Sequence, residues 1–419
     1  AVAHKKMWMW DKYDILVASM DTSKRNPHHD YIMNQHYDML IVDEAHKLKN
    51  KKTKNWEFIN NIKKKYVLLL TATPIQNDMT ELYNLVSILK PGQFGKFYTF
   101  QKDYMIDKRN PKNKKMLKEE IEKVMIRNKR ADEDIDLDFT KRVVNTIPII
   151  LTEPELILYK EITNFVKGHY QDFKNYQNPF TLITLQREIC SSRDAAFITL
   201  VNIFKKSGNN EQLKNEILKL VQFAKKVESQ SKTEEIIKLV KQINDKVIIF
   251  TEYRATQEFI IKKLSEQKIY SVAYRGGFNR GKKDWMMELF QKKAQVMVAT
   301  EAGSEGINLQ FCNHIINYDM PWNPMKVEQR IGRVHRLGQT KDVYIYNLST
   351  KNTIEEHILY LLNEKIKMFE NVIGSLETIL ENINVNNIES NIMEMMINSK
   401  DENDLRKQLS TFGDKILQK

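Results

Sequence analysis

Short apolar runs alternate with amphipathic stretches in two separate parts of the chain, with a long helical, lysine-rich span between them. In the first part, residues 14–19 (DILVAS), 39–42 (MLIV) and 66–70 (YVLLL) are unbroken apolar runs of strand length, each followed by polar, helix-like sequence. A strand covered on both faces reads as such a continuous run, so the pattern predicts three buried parallel strands. From residue 231 the pattern returns: 246–251, 270–274, 295–300, 314–317 and 343–347 are five strand candidates, separated by helices at 255–264, 282–291 and 324–334. This is an open α/β sheet. In the span between, 142–151 reads as a strand, 153–165 and 181–204 as helices, and 207–210 (SGNN) as a loop tip. Beyond residue 353 the chain is helical, amphipathic over 354–369 and Asn-rich after residue 380. The partition expected is 1–100, 101–230, 231–350 and 351–419.

Ligands of parallel sheets sit at the carboxyl ends of the strands, and there the chemistry collects. Asp43 and Glu44 follow the second run. One carboxylate can hold Mg²⁺ and the other can orient or deprotonate a water attacking phosphorus. Adjacent acids are common on surfaces, so it is the position after a buried strand that gives the pair weight. His46 is either a turn histidine or a link toward Thr71 and Thr73, whose hydroxyls follow the third run. In the second part, the strand-end loops are 275–277, 301–310 and 319–324. Asn323 and Pro324 start a helix in which Gln329, Arg333 and Arg336 fall at i, i+4 and i+7, on one face. Guanidinium groups so arranged suit a polyphosphate, and a solvated basic helix end is the plainer alternative.

Sixty-six Lys and Arg against 54 Asp and Glu give a net charge of +12, which suits a polyanionic partner but also an ordinary lysine-rich surface. Two cysteines exclude a disulfide framework and fit a reducing compartment. No apolar run reaches the ~18 residues of a membrane span, so no membrane partner is expected. The locations expected are cytoplasm or nucleoid in a prokaryote and nucleus in a eukaryote, without secretion.

Taken in order, residues 43–50 (DEAHKLKN), 71–77 (TATPIQN) with Glu81 and Leu82, and 329–339 (QRIGRVHRLGQ) resemble motifs II, III and VI of the Swi/Snf-type (Snf-two) ATPases, in helicase superfamily two. The resemblance runs from residue 14 to 348, with 14–19 similar to motif Ib, 247–253 to motif IV and 300–310 to motif V. It implies two RecA-like α/β lobes (the P-loop NTPase helicase fold, with lobe one incomplete), a helical intervening region and a C-terminal helical tail. It also implies ATP-driven translocation on double-stranded DNA. Asp43 would bind Mg²⁺ and Glu44 would position the water. His46, Gln329, Glu305 and Gly306 would lie at the ATP. Arg333 and Arg336 would be arginine fingers on the γ-phosphate. Ser19, Thr71, Thr73, Arg275, Gly276 and Thr300 would couple the nucleotide to DNA, while Arg330 is expected to be structural or interdomain and Trp322 a packing residue, with a DNA-facing role as its alternative. Protein partners are expected through the helical region or the tail, with the oligomeric state open.

One part of the family pattern is missing. No G-x-x-x-x-G-K-[ST] loop precedes Asp43, and the Gly-Lys pairs at 95–96 and 281–282 lack the following Ser or Thr. The expectation is a chain truncated before motif Ib that binds ATP weakly and hydrolyses it negligibly, from a parent that is an active ATPase. Two other readings stand beside it. A strand-separating DExH helicase is opposed by the R-x-H-R-x-G-Q string, and a non-catalytic nucleic-acid-binding scaffold is motivated by the missing loop.

Overall fold

A computed structural model describes residues 9–71, 79–107, 111–126, 140–176, 180–300, 307–362 and 388–417. The chain divides into two compact units, Ala1–Asn128 and Lys129–Lys419.

The first unit is built on two parallel strands, β1 (His36–Val42) and β2 (Lys63–Leu69). The helix Lys54–Asn61 connects them, and Thr53 caps it by accepting from the Trp56 amide at 3.3 Å. One face of the sheet packs on this helix and on Met79–Leu89, burying Val42, Leu48, Trp56, Ile59, Leu85 and Ile88. Among the described residues nothing covers the other face. Met39 pairs with Tyr66 and Ile41 with Leu68 in register, and all four side chains are exposed, as is Leu70. The expectation of strands covered on both faces therefore fails in this unit. The predicted strand at 14–19 also does not form. A strand needs a neighbour for its backbone N–H and C=O groups, and among the described residues 14–19 has no ladder partner. Ile15 and Val17 stand 87% and 98% exposed.

The second unit carries a six-stranded, wholly parallel sheet. Its strands are β3 (Arg142–Ile149), β4 (Val247–Thr251), β5 (Ser271–Tyr274), β6 (Val296–Thr300), β7 (His314–Asn317) and β8 (Val343–Thr350), in the order β3-β8-β7-β4-β6-β5. Every residue of β4 and β6 is buried, as their unbroken apolar runs require. Val247, Ile249, Val296 and Val298 face the helices Ser231–Ile243 and Arg254–Glu266 through Ile236, Val240, Ile260 and Leu264. Ile248, Phe250, Met297 and Ala299 join the opposite, larger core.

All five strands expected after residue 231 are present, and β3 is a sixth. It pairs with β8 over eight residues and so covers that edge of the sheet. The second unit also takes in residues 129–230. The helices Glu153–Tyr176, Phe180–Ser191, Arg193–Lys206 and Glu211–Lys225 bury Leu158, Leu182, Leu200 and Ile217 in the same core as Phe250 and Ile331. The single helix expected at 181–204 is two, because Ser192 takes an extended conformation and caps the second, accepting from the Ala195 amide at 3.1 Å. Beyond residue 387, Ile388–Asn398 adds Ile392, Met393 and Met396 to this core. Both cysteines are buried and free. Among the described residues no helix is long and apolar enough to cross a membrane.

Candidate functional site

The acidic candidate residues lie where β1 ends. Asp43 is exposed, and its Oδ1 accepts from the Glu44 amide at 2.8 Å. Glu44 takes a left-handed conformation, φ 53° and ψ 47°. For a residue with a Cβ this costs roughly 1–2 kcal/mol, a strain the surrounding turn has to hold. The turn is stitched to the end of β2, since the Ala45 amide donates to the Leu70 carbonyl and the Leu70 amide to the Val42 carbonyl, both at 2.9 Å. His46 Nδ1 sits 3.1 Å from Glu44 Oε2. Thr71 is partly buried at the end of β2. Thr73 lies outside the described residues.

The basic candidate residues, in the second unit, correct one expectation. The helix Pro324–Ile331 stops before Arg333, so Gln329, Arg333 and Arg336 do not share a helical face. The chain tightens instead into shorter-range bonds: the Arg333 amide donates to the Arg330 carbonyl at 3.1 Å and the Val334 amide to the Ile331 carbonyl at 3.0 Å. Gly332 sits at the change, where an added Cβ would come within 3.2 Å of the Glu328 carbonyl. Gln329 is exposed, and Arg333 and Arg336 are partly buried on the turn and just beyond it. Arg336 Nε donates to the Gly332 carbonyl at 2.7 Å, and the Arg333 carbonyl accepts from the Leu309 amide at 3.0 Å. Arg330 is buried. Its Nη1 donates to Asn317 Oδ1 at 3.1 Å and to the Asp319 carbonyl at 2.7 Å, with the guanidinium over the Phe250 ring. Trp322 is buried beneath the Arg187 guanidinium.

The residues expected on the DNA side are scattered. Ser19 is exposed before the short helix Met20–Ser23. Arg275 and Gly276 follow β5. Arg275 pairs with Glu258 at 2.6 Å and lies over the Phe278 ring. Thr300 is buried at the end of β6. Glu305 and Gly306 lie outside the described residues.

The chain matches two family models, the SNF2-related domain over residues 2–195 and the helicase conserved C-terminal domain over residues 231–338. It is 50% identical over 408 residues to the protein named uncharacterized ATP-dependent helicase YqhH of Bacillus subtilis, covering 97% of this chain and 72% of that one. The chain belongs to the SNF2-related helicase family. It is also 26% identical to the CHD3-type chromatin-remodeling factor PICKLE of Arabidopsis thaliana, over 89% of this chain and 26% of that protein. To the DNA repair and recombination protein RDH54 of Saccharomyces cerevisiae it is 27% identical, over 82% and 38%. The chain thus spans most of the first relative and well under half of the other two. The Sulfolobus solfataricus SWI2/SNF2 ATPase core in complex with dsDNA aligns over 94% of this chain and 77% of that one, at 24% identity and a TM-score of 0.41.

Within this SNF2-related chain, three polar anchors of the motifs escaped the sequence reading. Lys49 and Glu81 are both buried and 3.4 Å apart, tying motif II to the helix after motif III; burial lowers the Lys49 pKa. Gln339 is buried, and its Nε2 donates to the carbonyls of Gln310 at 3.0 Å and of Cys312 and Val334 at 3.2 Å, pinning the end of motif VI. His335 is held on both ring nitrogens, by Arg142 and by the Thr140 carbonyl. No local apolar pattern marks Lys49 or Gln339, which stand in KLKNK and LGQTK. An exposed carboxylate such as Asp43 fits Mg²⁺, which keeps several waters and shares its remaining ligands with substrate phosphates. Among the described residues no three His, Cys, Asp or Glu side chains could hold a metal by themselves.

Proposed function

We propose that the protein containing this chain couples ATP hydrolysis to movement along double-stranded DNA. The observation that carries the reading is the 50% identity, across 97% of this chain, to a protein named an ATP-dependent helicase. The family motifs and the chemistry of the two charge sets support it. Asp43 would hold Mg²⁺, which supplies charge neutralisation on the phosphates. Glu44 would orient the attacking water and take its proton, and Arg333 and Arg336 would stabilise charge developing on the transferred phosphoryl group. The +12 net charge suits a grip on the phosphate backbone that is largely independent of base sequence. As this sequence has no Gly-Lys-Ser/Thr phosphate loop, the 419-residue chain alone should hydrolyse ATP negligibly.

The test is a triplex-displacement assay beside a duplex-unwinding assay, on a polypeptide carrying this chain together with a Gly-Lys-Thr loop. ATP-dependent release of the third strand without duplex separation is expected. Glu44→Gln should lower kcat by about 10³-fold or more while nucleotide binding survives, and Arg336→Ala should abolish turnover. Duplex separation would point to a strand-separating helicase. Nucleotide-independent DNA binding with no turnover would point to a scaffold.

A further inference from the structure

Motif VI is braced from a direction its own sequence does not disclose. Arg142, the first residue of β3, reaches the helix Pro324–Ile331 and the turn beyond it at once. Its Nη1 contacts Glu328 Oε1 at 3.0 Å and Oε2 at 3.2 Å, and its Nε lies 3.2 Å from His335 Nδ1. The Arg142 and Glu328 side chains are only 14% and 10% exposed and His335 only 5%, so water competes little for these bonds. An arginine Nε–H can only donate, so His335 Nδ1 accepts and the ring proton of the neutral imidazole is on Nε2. From there it donates to the Thr140 carbonyl at 2.7 Å. The two readouts agree on one tautomer.

We infer that Arg142 and His335 are positioning residues for the arginine-bearing turn, clamping it to the stretch by which the chain enters the second unit. The inference rests on the proposed roles of Arg333 and Arg336. The guanidinium spans from Glu328, before Gly332, to His335, after Val334, so Arg333 lies inside the span and Arg336 directly follows it. The brace stands on a fixed base, because Arg142 opens the eight-residue ladder of β3 with β8. Thr140, the first described residue of this unit, is bonded through His335 to the same turn. A buried charged pair contributes little net stability compared with apolar packing, and what this geometry secures is position.

Hydrogen exchange on the 419-residue chain tests the inference and needs no turnover, so absence of ATPase activity, which bears on the proposed function, leaves this readout intact. Arg142→Gln and His335→Leu should each speed exchange of the Arg333, Val334 and His335 amides by about tenfold, with β4 and β6 unchanged. His335→Gln keeps an acceptor for Arg142 and a donor for Thr140 on one planar group, and should retain wild-type protection. If Arg142→Gln also loosens β4, the His335 pair decides. Equal protection in His335→Leu and His335→Gln would overturn the inference, whether both match the wild type or both are lost.

Discussion

The two sheets of this chain are written in nearly the same apolar language and end in different states. β4 (VIIFT) and β6 (VMVAT) are buried at every position, with helices on both faces and strands on both sides. β1 and β2 carry comparable runs, yet Met39, Ile41, Tyr66 and Leu68 face outward with nothing described over them. An apolar run thus states what a strand would bury if partners were present. Whether it buries it depends on residues elsewhere. The consequence for function is a division of labour: the arginine-bearing turn is anchored in a covered core, whereas the Asp43–Glu44 turn rests on a sheet packed on one face.

If the contrast is real, truncating a core residue of the second unit has the largest effect. Phe250 is wholly buried, lies in β4 at the middle of the sheet, and sits beneath the Arg330 guanidinium. Phe250→Ala should destabilise that unit by about 3–5 kcal/mol in urea unfolding, combining lost transfer energy with a cavity. A cost below about 1 kcal/mol would show that this core is not the close-packed one described.

A buried acid sharpens the same point through pH. Glu188, in the helix Phe180–Ser191, is only 8% exposed, and burial pushes its pKa up from 4.5 to about 7. The folded value exceeds the unfolded one. Its contribution is therefore most favourable below about pH 4.5 and is lost as pH rises through about 7. The gap corresponds to about 3 kcal/mol. Glu188→Gln should stabilise the second unit by roughly that amount at pH 8 and by almost nothing at pH 4. Thermal melts at the two pH values check it, and a gain independent of pH would remove burial of the charge as the cause.

Much of the second unit was legible because each strand is a closed apolar run with turn signals at both ends, and the structure places all five where the runs fall. What was not legible depends on partners distant in sequence. Residues 142–151 read as a strand, but nothing local shows that β8, some 200 residues on, is its neighbour. Residues 14–19 read equally well as a strand and lack a ladder partner among the described residues. The site shows the same limit. Asp43 and Glu44 could be found as a pair of acids after a strand, whereas the end of the helix at Ile331 is set by short-range backbone bonds around Gly332 that helical spacing ignores. The brace from Arg142 to His335 crosses 193 residues and has no local signature.

The smallest expected effect probes the open face. Leu68 is 46% exposed and lies in register with Ile41 at 56%, so about half of each side chain stays in water on folding. Ile41→Thr keeps a β-branched side chain and Leu68→Thr introduces one, both suited to a strand, and the carbon removed is in large part solvent-facing. Each should change the stability of the first unit by less than about 0.5 kcal/mol. The same changes should reduce self-association in light scattering, because contiguous exposed apolar side chains on a sheet favour aggregation. In a longer polypeptide whose added residues cover this face, the identical substitutions should cost about 1–2 kcal/mol each, since the area they remove would then be buried. Equal, small costs in both settings would mean that the face stays open there too, and that its apolar pattern serves something other than packing within one chain.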